Sequence, residues 1–237
     1  MISRSSFLIG LFGTGTTLSE LMVYLGRMNA AKVQLSKEEM ALVSDPGWIL
    51  TKNSIMARAV ELMAGLSERL TPDLDKLRHW MVTQSAGFIP PANWDTPKIS
   101  KGENYLGLPY VMLDYPRLFT REHVLAIRTM FWWGHYFSVT LHLKGRYKEM
   151  FLPVIERRTQ ELADAGFHIS ISEDEWRHEL TVENYRPLSE AASYKLQAAS
   201  EGHPFLKLSA TCGLDKWNDA PEVLMGLFQL LIDCLSA

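Results

Sequence analysis

Arg128 lies in 124–133, a run whose period of two marks a β-strand. Its alternate neighbours are Val124, Ala126, Met130 and Trp132, so it shares a face that is otherwise apolar. A guanidinium at a core-facing position needs a partner, because an unpaired buried charge costs several kcal/mol. Asp114, at the end of the preceding strand-like run, is the nearest carboxylate in the sequence, and an Arg128–Asp114 pair is the leading expectation. The alternative is that Arg128 lines a pocket and holds an anionic ligand, assisted by Lys98, Lys101 or Arg117.

The other chemically able side chains are less committed. His135 and His142 are an odd number of residues apart, which places them on opposite faces of one regular strand and keeps them from sharing a ligand. His168 and His178 belong to a second expected hairpin, and nothing in the spacing ties them to either. Histidines beside tryptophans read as structural. Glu173, Asp174, Glu175 and Glu179 lack the alternating oxygen ligands and central glycine of a calcium loop, so they read as a solvated turn. Cys212 and Cys234 show no metal-ligand spacing; two buried free thiols in a reducing compartment are expected, and no metal site. No local signature of a Ser-His-Asp or Cys-His nucleophile is present. Gly10, Gly13 and Gly15 stand between a strand-like and a helix-like run, as a phosphate turn requires. No Lys follows them for a P-loop and the dinucleotide spacing is absent, so no cofactor is specified.

The elements that must position these groups follow from periodicity. Ser36 and Glu39 form a capping box opening a short helix that meets the breakers Asp45, Pro46 and Gly47. A longer helix is expected over 51–70 and another over 72–83, with Thr71 as N-cap. Residues 85–107 read as a long connector, of the kind that covers or contributes to a site. Strands are expected at 108–115, 124–133 and 135–143, the last two joined by a two-residue turn at Gly134 and His135. That register sets Arg128 opposite Leu141. One face would then hold Val124, Ala126, Arg128, Met130, Trp132, Phe137, Val139, Leu141 and Leu143. The other, which mixes aromatics with hydroxyls and an imidazole, would hold Leu125, Ile127, Thr129, Phe131, Trp133, Tyr136, Ser138, Thr140 and His142. Such a mixture suits a ligand surface and equally a half-solvated outer face. A helix over 147–165, a hairpin of 167–171 with 176–185, a helix over 188–199, a strand over 205–212 and a closing helix over 220–235 complete the order.

Sequential hairpins argue against a doubly wound sheet. The expected class is α+β, a mostly antiparallel sheet of about five to six strands with helices packed against it, preceded by an N-terminal helical segment. The chain has 237 residues, 47% apolar and 22% charged, with net charge −3. That is ordinary globular composition without the basic field of a nucleic-acid binder. No run approaches the ~20 apolar residues of a membrane span. The apolar run 7–12 is short and interrupted by glycines, unlike a signal peptide. Residues 1–33 are expected to be an extension, with Met28 the favoured natural start, and 34–237 a single domain.

The stretch Lys101-Gly102-Glu103-Asn104-Tyr105-Leu106-Gly107-Leu108-Pro109-Tyr110, continuing through Leu113-Asp114-Tyr115-Pro116, resembles a family of bacterial hypothetical proteins. Arg128-Thr129-Met130-Phe131-Trp132-Trp133-Gly134 and Thr140-Leu141-His142-Leu143 fit the same pattern. The resemblance extends loosely from about residue 34 to the C-terminus. It implies a bacterial, cytoplasmic protein and carries no assigned activity or site residues.

Two functional expectations stand side by side. One is a small-ligand-binding protein or enzyme, its site between loop 97–107 and the sheet, lined by Lys101, Tyr105, Tyr110, Arg128, Trp133 and His142. The other is a protein–protein or homo-oligomeric module using Trp132, Trp133, Tyr136 and Phe137 of the hairpin 124–143.

Overall fold

The computed structural model describes residues 17, 19–20, 22, 33–84, 91, 94–191, 196 and 202–237. The glycine turn at Gly10, Gly13 and Gly15, the apolar run 7–12, most of the extension 1–33, and parts of the connector 85–107 and of the helix 188–199 lie outside them. The chain divides into two compact units, Met1–Asn53 and Ser54–Ala237. Among the described residues, no helix is long and apolar enough to cross a membrane.

In the first unit, Ser36 accepts from the Glu39 N–H, and the Glu39 carboxylate accepts from the Ser36 N–H, opening α1 (Lys37–Ser44). The breaker cluster then works as a junction. Asp45 Oδ1 accepts from Gly47 N at 2.8 Å while Pro46 opens the next helix, so α2 (Pro46–Arg69) starts five residues earlier than its apolar periodicity suggests.

The second unit is built around a sheet. Met56, Ala59, Met63 and Leu66 of α2 are buried, as are Leu74, Leu77 and Met81 of α3 (Thr71–Gln84). The strands are β1 (Lys98–Tyr105), β2 (Leu108–Phe119), β3 (Val124–Trp132) and β4 (Tyr136–Lys144), then β5 (His168–Ser170), β6 (Tyr185–Pro187) and β7 (Phe205–Gly213). They form one seven-stranded antiparallel sheet in the order β1-β2-β3-β4-β7-β5-β6, so the protein is α+β. Strand β1 occupies the second half of the expected connector. It is an edge strand paired on one side, and edge strands carry few buried residues, which is why its sequence reads as a loop. Helices α4 (Arg146–Arg157) and α5 (Thr159–Asp164), with a break at Arg158, replace the single helix expected over 147–165. Helix α6 (Leu188–Ala191) lies at the start of the helix expected over 188–199, and α7 (Ala220–Leu235) is the closing helix where the sequence places it.

The central hairpin departs from expectation by one residue. Its connection is Trp133, Gly134 and His135, with Gly134 at φ +75°, and Trp132 rather than Trp133 pairs with Tyr136. Arg128 therefore faces Thr140, not Leu141. Because side chains alternate, this single step exchanges the whole face of β4. Leu125, Ile127, Thr129 and Phe131 now share a face with Phe137, Val139, Leu141 and Leu143. This face, continued by Val111, Leu113, Leu206 and Leu208, belongs to the main core together with α2, α3, α4 and α7. Arg128, Met130 and Trp132 share the other with Tyr136, Ser138, Thr140 and His142.

The second expected hairpin is shorter than its sequence suggests. β5 and β6 pair over three residues each, and the chain between them, 171–184, forms a strap without helix or strand. Local side-chain bonds compete with the ladder there. Ser170 Oγ accepts from Ser172 N, Ser172 Oγ from Asp174 N, and Asp174 Oδ1 from Trp176 N.

Candidate functional site

The strap is bonded to the polar face of the sheet. Lys207, in the middle of β7, sends its neighbours Leu206 and Leu208 to the main core and its own side chain the other way. It is fully buried, and Nζ donates to Glu175 O at 2.9 Å and Arg177 O at 2.6 Å. The Glu175 carboxylate accepts from Lys144 Nζ at 2.6 Å and from His142 Nε2 at 3.1 Å. Farther along the strap, Tyr105 O–H donates to the Glu179 carboxylate and accepts from His178 N at 2.6 Å. Tyr136 Oη accepts from Leu180 N at 2.8 Å. Glu179 also takes hydrogen bonds from Arg177 and from Asn184 Nδ2. The acidic cluster is thus partly an internal anchor and not a solvated turn. Among the described residues, no three His, Cys, Asp or Glu side chains are arranged to hold a metal ion.

Burial governs the protonation of this layer. His142 is pushed down to about 2 by desolvation, then by Lys207, Arg128 and Lys144, so its contact with Glu175 is a hydrogen bond from a neutral imidazole and not an ion pair. Its Nε2 carries the proton toward the carboxylate, and Nδ1 is a buried acceptor with no hydrogen-bond partner among the described residues. Desolvation, then Lys207 and Arg128, also hold His178 neutral. Lys207 is lowered to about 7 by desolvation and then by Arg128, against Asp174, Glu179 and Glu175. Desolvation and Glu179 push the Tyr105 phenol up.

Between strap, sheet and β1 is a pocket of about 290 Å³ lined by Ser100, Tyr105, Tyr110, Met112, Arg128, Met130, Trp176 and His178. Arg128 is 13% exposed; Nε donates to Asp114 Oδ1 at 2.6 Å and Nη2 to Asp114 Oδ2 at 3.4 Å. Nη1 donates to His178 Nε2 at 3.3 Å. A guanidinium carries five N–H groups, so one N–H on each Nη is left without an acceptor among the described residues. The guanidinium also lies over the rings of Phe119 and Trp176, at 5.3 and 5.7 Å. The Tyr110 ring crosses the β1 backbone at Gly102, where a Cβ would come within 2.4 Å of it, so only glycine lets that ring lie flat against the strand.

Of the residues named from sequence, Tyr105, Tyr110 and Arg128 meet in this pocket. His142 lies on the same face but is sealed beneath Glu175 and Trp176. Lys101 pairs with Val111, on the opposite side of β1, and is exposed. Trp133 packs against the main core from the hairpin connection. Sequence reasoning passed over Trp176, Met112, Met130 and Ser100. The two methionines alternate with core residues and carried a readable signal. Trp176 comes from the strap, and its place depends on bonds made by β4 and β7.

The chain matches no protein-family profile, no curated protein and no solved structure.

Proposed function

We propose that this protein binds a small planar organic ligand, about the size of one ring and bearing an acceptor oxygen, in the pocket beneath the strap. The observation that carries the reading is Arg128, held in place by Asp114 and His178 while presenting unused N–H groups between aromatic walls. At about 290 Å³ the pocket lies just below the ~300–1,000 Å³ range of ligand sites, which suits a small ligand. Tyr105, Tyr110 and Trp176 offer π-surface, Met112 and Met130 an apolar floor, and Arg128 orientation. The aromatic hairpin supports the interface reading less well. Trp132 and Phe137 are buried, Trp133 packs on the core and the Tyr136 hydroxyl is engaged by the strap. The free, buried thiols of Cys212 and Cys234 fit a reducing, cytoplasmic setting.

The test compares native with denaturing mass of gently purified protein, and follows benzoate and nicotinamide binding by proton NMR. The reading expects either a mass excess lost on denaturation or saturable binding of one probe, abolished by Ser100→Trp, which fills the pocket from the half-buried edge strand. A bare mass with no saturable binding, or binding that Ser100→Trp leaves unchanged, overturns it.

A further inference from the structure

Lys207 stands out because its hydrogen bonds and its charge do not match. Nothing acidic bonds to it: Nζ donates to two backbone carbonyls and to no other group among the described residues. A neutral amine has two N–H groups, and the two carbonyls would satisfy both. An ammonium has three, and the third would be buried without an acceptor. The two carbonyls belong to Glu175 and Arg177, the residues on either side of Trp176, whose ring forms a wall of the pocket. The strap has no helix or strand of its own, so such anchors set where Trp176 stands.

We propose that Lys207 is a positioning residue acting as a proton-sensitive latch: as a neutral amine it holds the backbone on both sides of Trp176, and its protonation releases the strap and loosens the pocket. This rests on the ligand-binding reading above. The groups around Nζ are Arg128 from β3, His142 and Lys144 from β4, and Tyr185 from β6, with Asp174, Glu175, Arg177, His178 and Glu179 from the strap. Within this set the two histidines are held neutral and the Tyr185 phenol is pushed up, whereas Lys207 is lowered to about 7. With the strap lifted, the amine regains water and its ordinary pKa near 10.5. The open form therefore binds the proton more tightly between those values, and closure strengthens as pH rises through that window, by up to about tenfold per pH unit for one proton.

Hydrogen exchange on the full-length protein, as protection factors at several pH values from about 6 to about 9, tests this with and without benzoate. Wild type should gain protection in peptides covering 175–180 as pH rises above 7, while β3 and β4 peptides stay constant. Lys207→Met should lose about tenfold in strap protection at the upper pH, about two ordinary hydrogen bonds, and the pH response above 7 with it. Lys207→Arg, charged at every pH, should hold the strap in its low-pH state throughout. A wild-type strap indifferent to pH above 7 overturns the latch without recourse to any variant. So does a Lys207→Met profile that keeps the wild-type slope. If benzoate fails to protect the wild-type strap while the pH response is present, the ligand reading is weakened and the latch stands.

Discussion

The two faces of the sheet are built on opposite terms. The helix-covered face is filled by Leu, Ile, Val and Phe from β2, β3, β4 and β7, and it is stabilised by volume and area removed from water. The strap-covered face carries Arg128, His142, Lys207, Thr140 and Ser209, nearly all buried, and each of these side chains is held by at least one hydrogen bond, which offsets the cost of its burial. The first face constrains its side chains through apolarity and volume. The second is over-determined by specific atoms, and that specificity is what leaves a shaped pocket at its margin.

The largest expected effect lies on the polar face. Asp114→Ala strands the Arg128 guanidinium, and denaturant unfolding should show a loss of about 3–5 kcal/mol. Replacing both partners, Asp114→Leu with Arg128→Met, should restore most of that loss; a double variant as unstable as the single one would break the contrast. On the other face, Leu141→Ala should lose about 2–5 kcal/mol through the cavity it leaves, with the pH dependence of stability unchanged.

Smaller effects sharpen the same contrast by titration. The pKa of His142 is depressed in the fold, so the unfolded chain takes up its proton first as pH falls below about 6.5. Stability should therefore drop from that point downward, and His142→Phe should shallow the drop, measured by thermal unfolding across that range. An acid limb as steep in the variant as in wild type would place the responsible groups elsewhere. The smallest change in stability, below about 1 kcal/mol, is expected for the half-exposed Trp176→Ala, alongside a loss of ligand binding. A large stability loss there would make Trp176 part of the core and not a pocket wall.

The sequence by itself determined the class of the fold, the α1 capping box, most element positions and the Arg128–Asp114 pair. These depend on local hydrogen bonding, on hydrophobic period, or on neighbouring strands joined by short turns. Edge strand β1 was illegible because a strand paired on one side needs little apolar alternation. The face of β4 was legible in composition and wrong in register, since one extra residue in the connection at Gly134 turns every side chain of a strand over. Tertiary structure alone decided that the segment 171–184 lies across the polar face. Its anchors, Lys207, Tyr105, Tyr136 and Lys144, come from three different strands, and no local pattern records bonds made between residues distant in the chain.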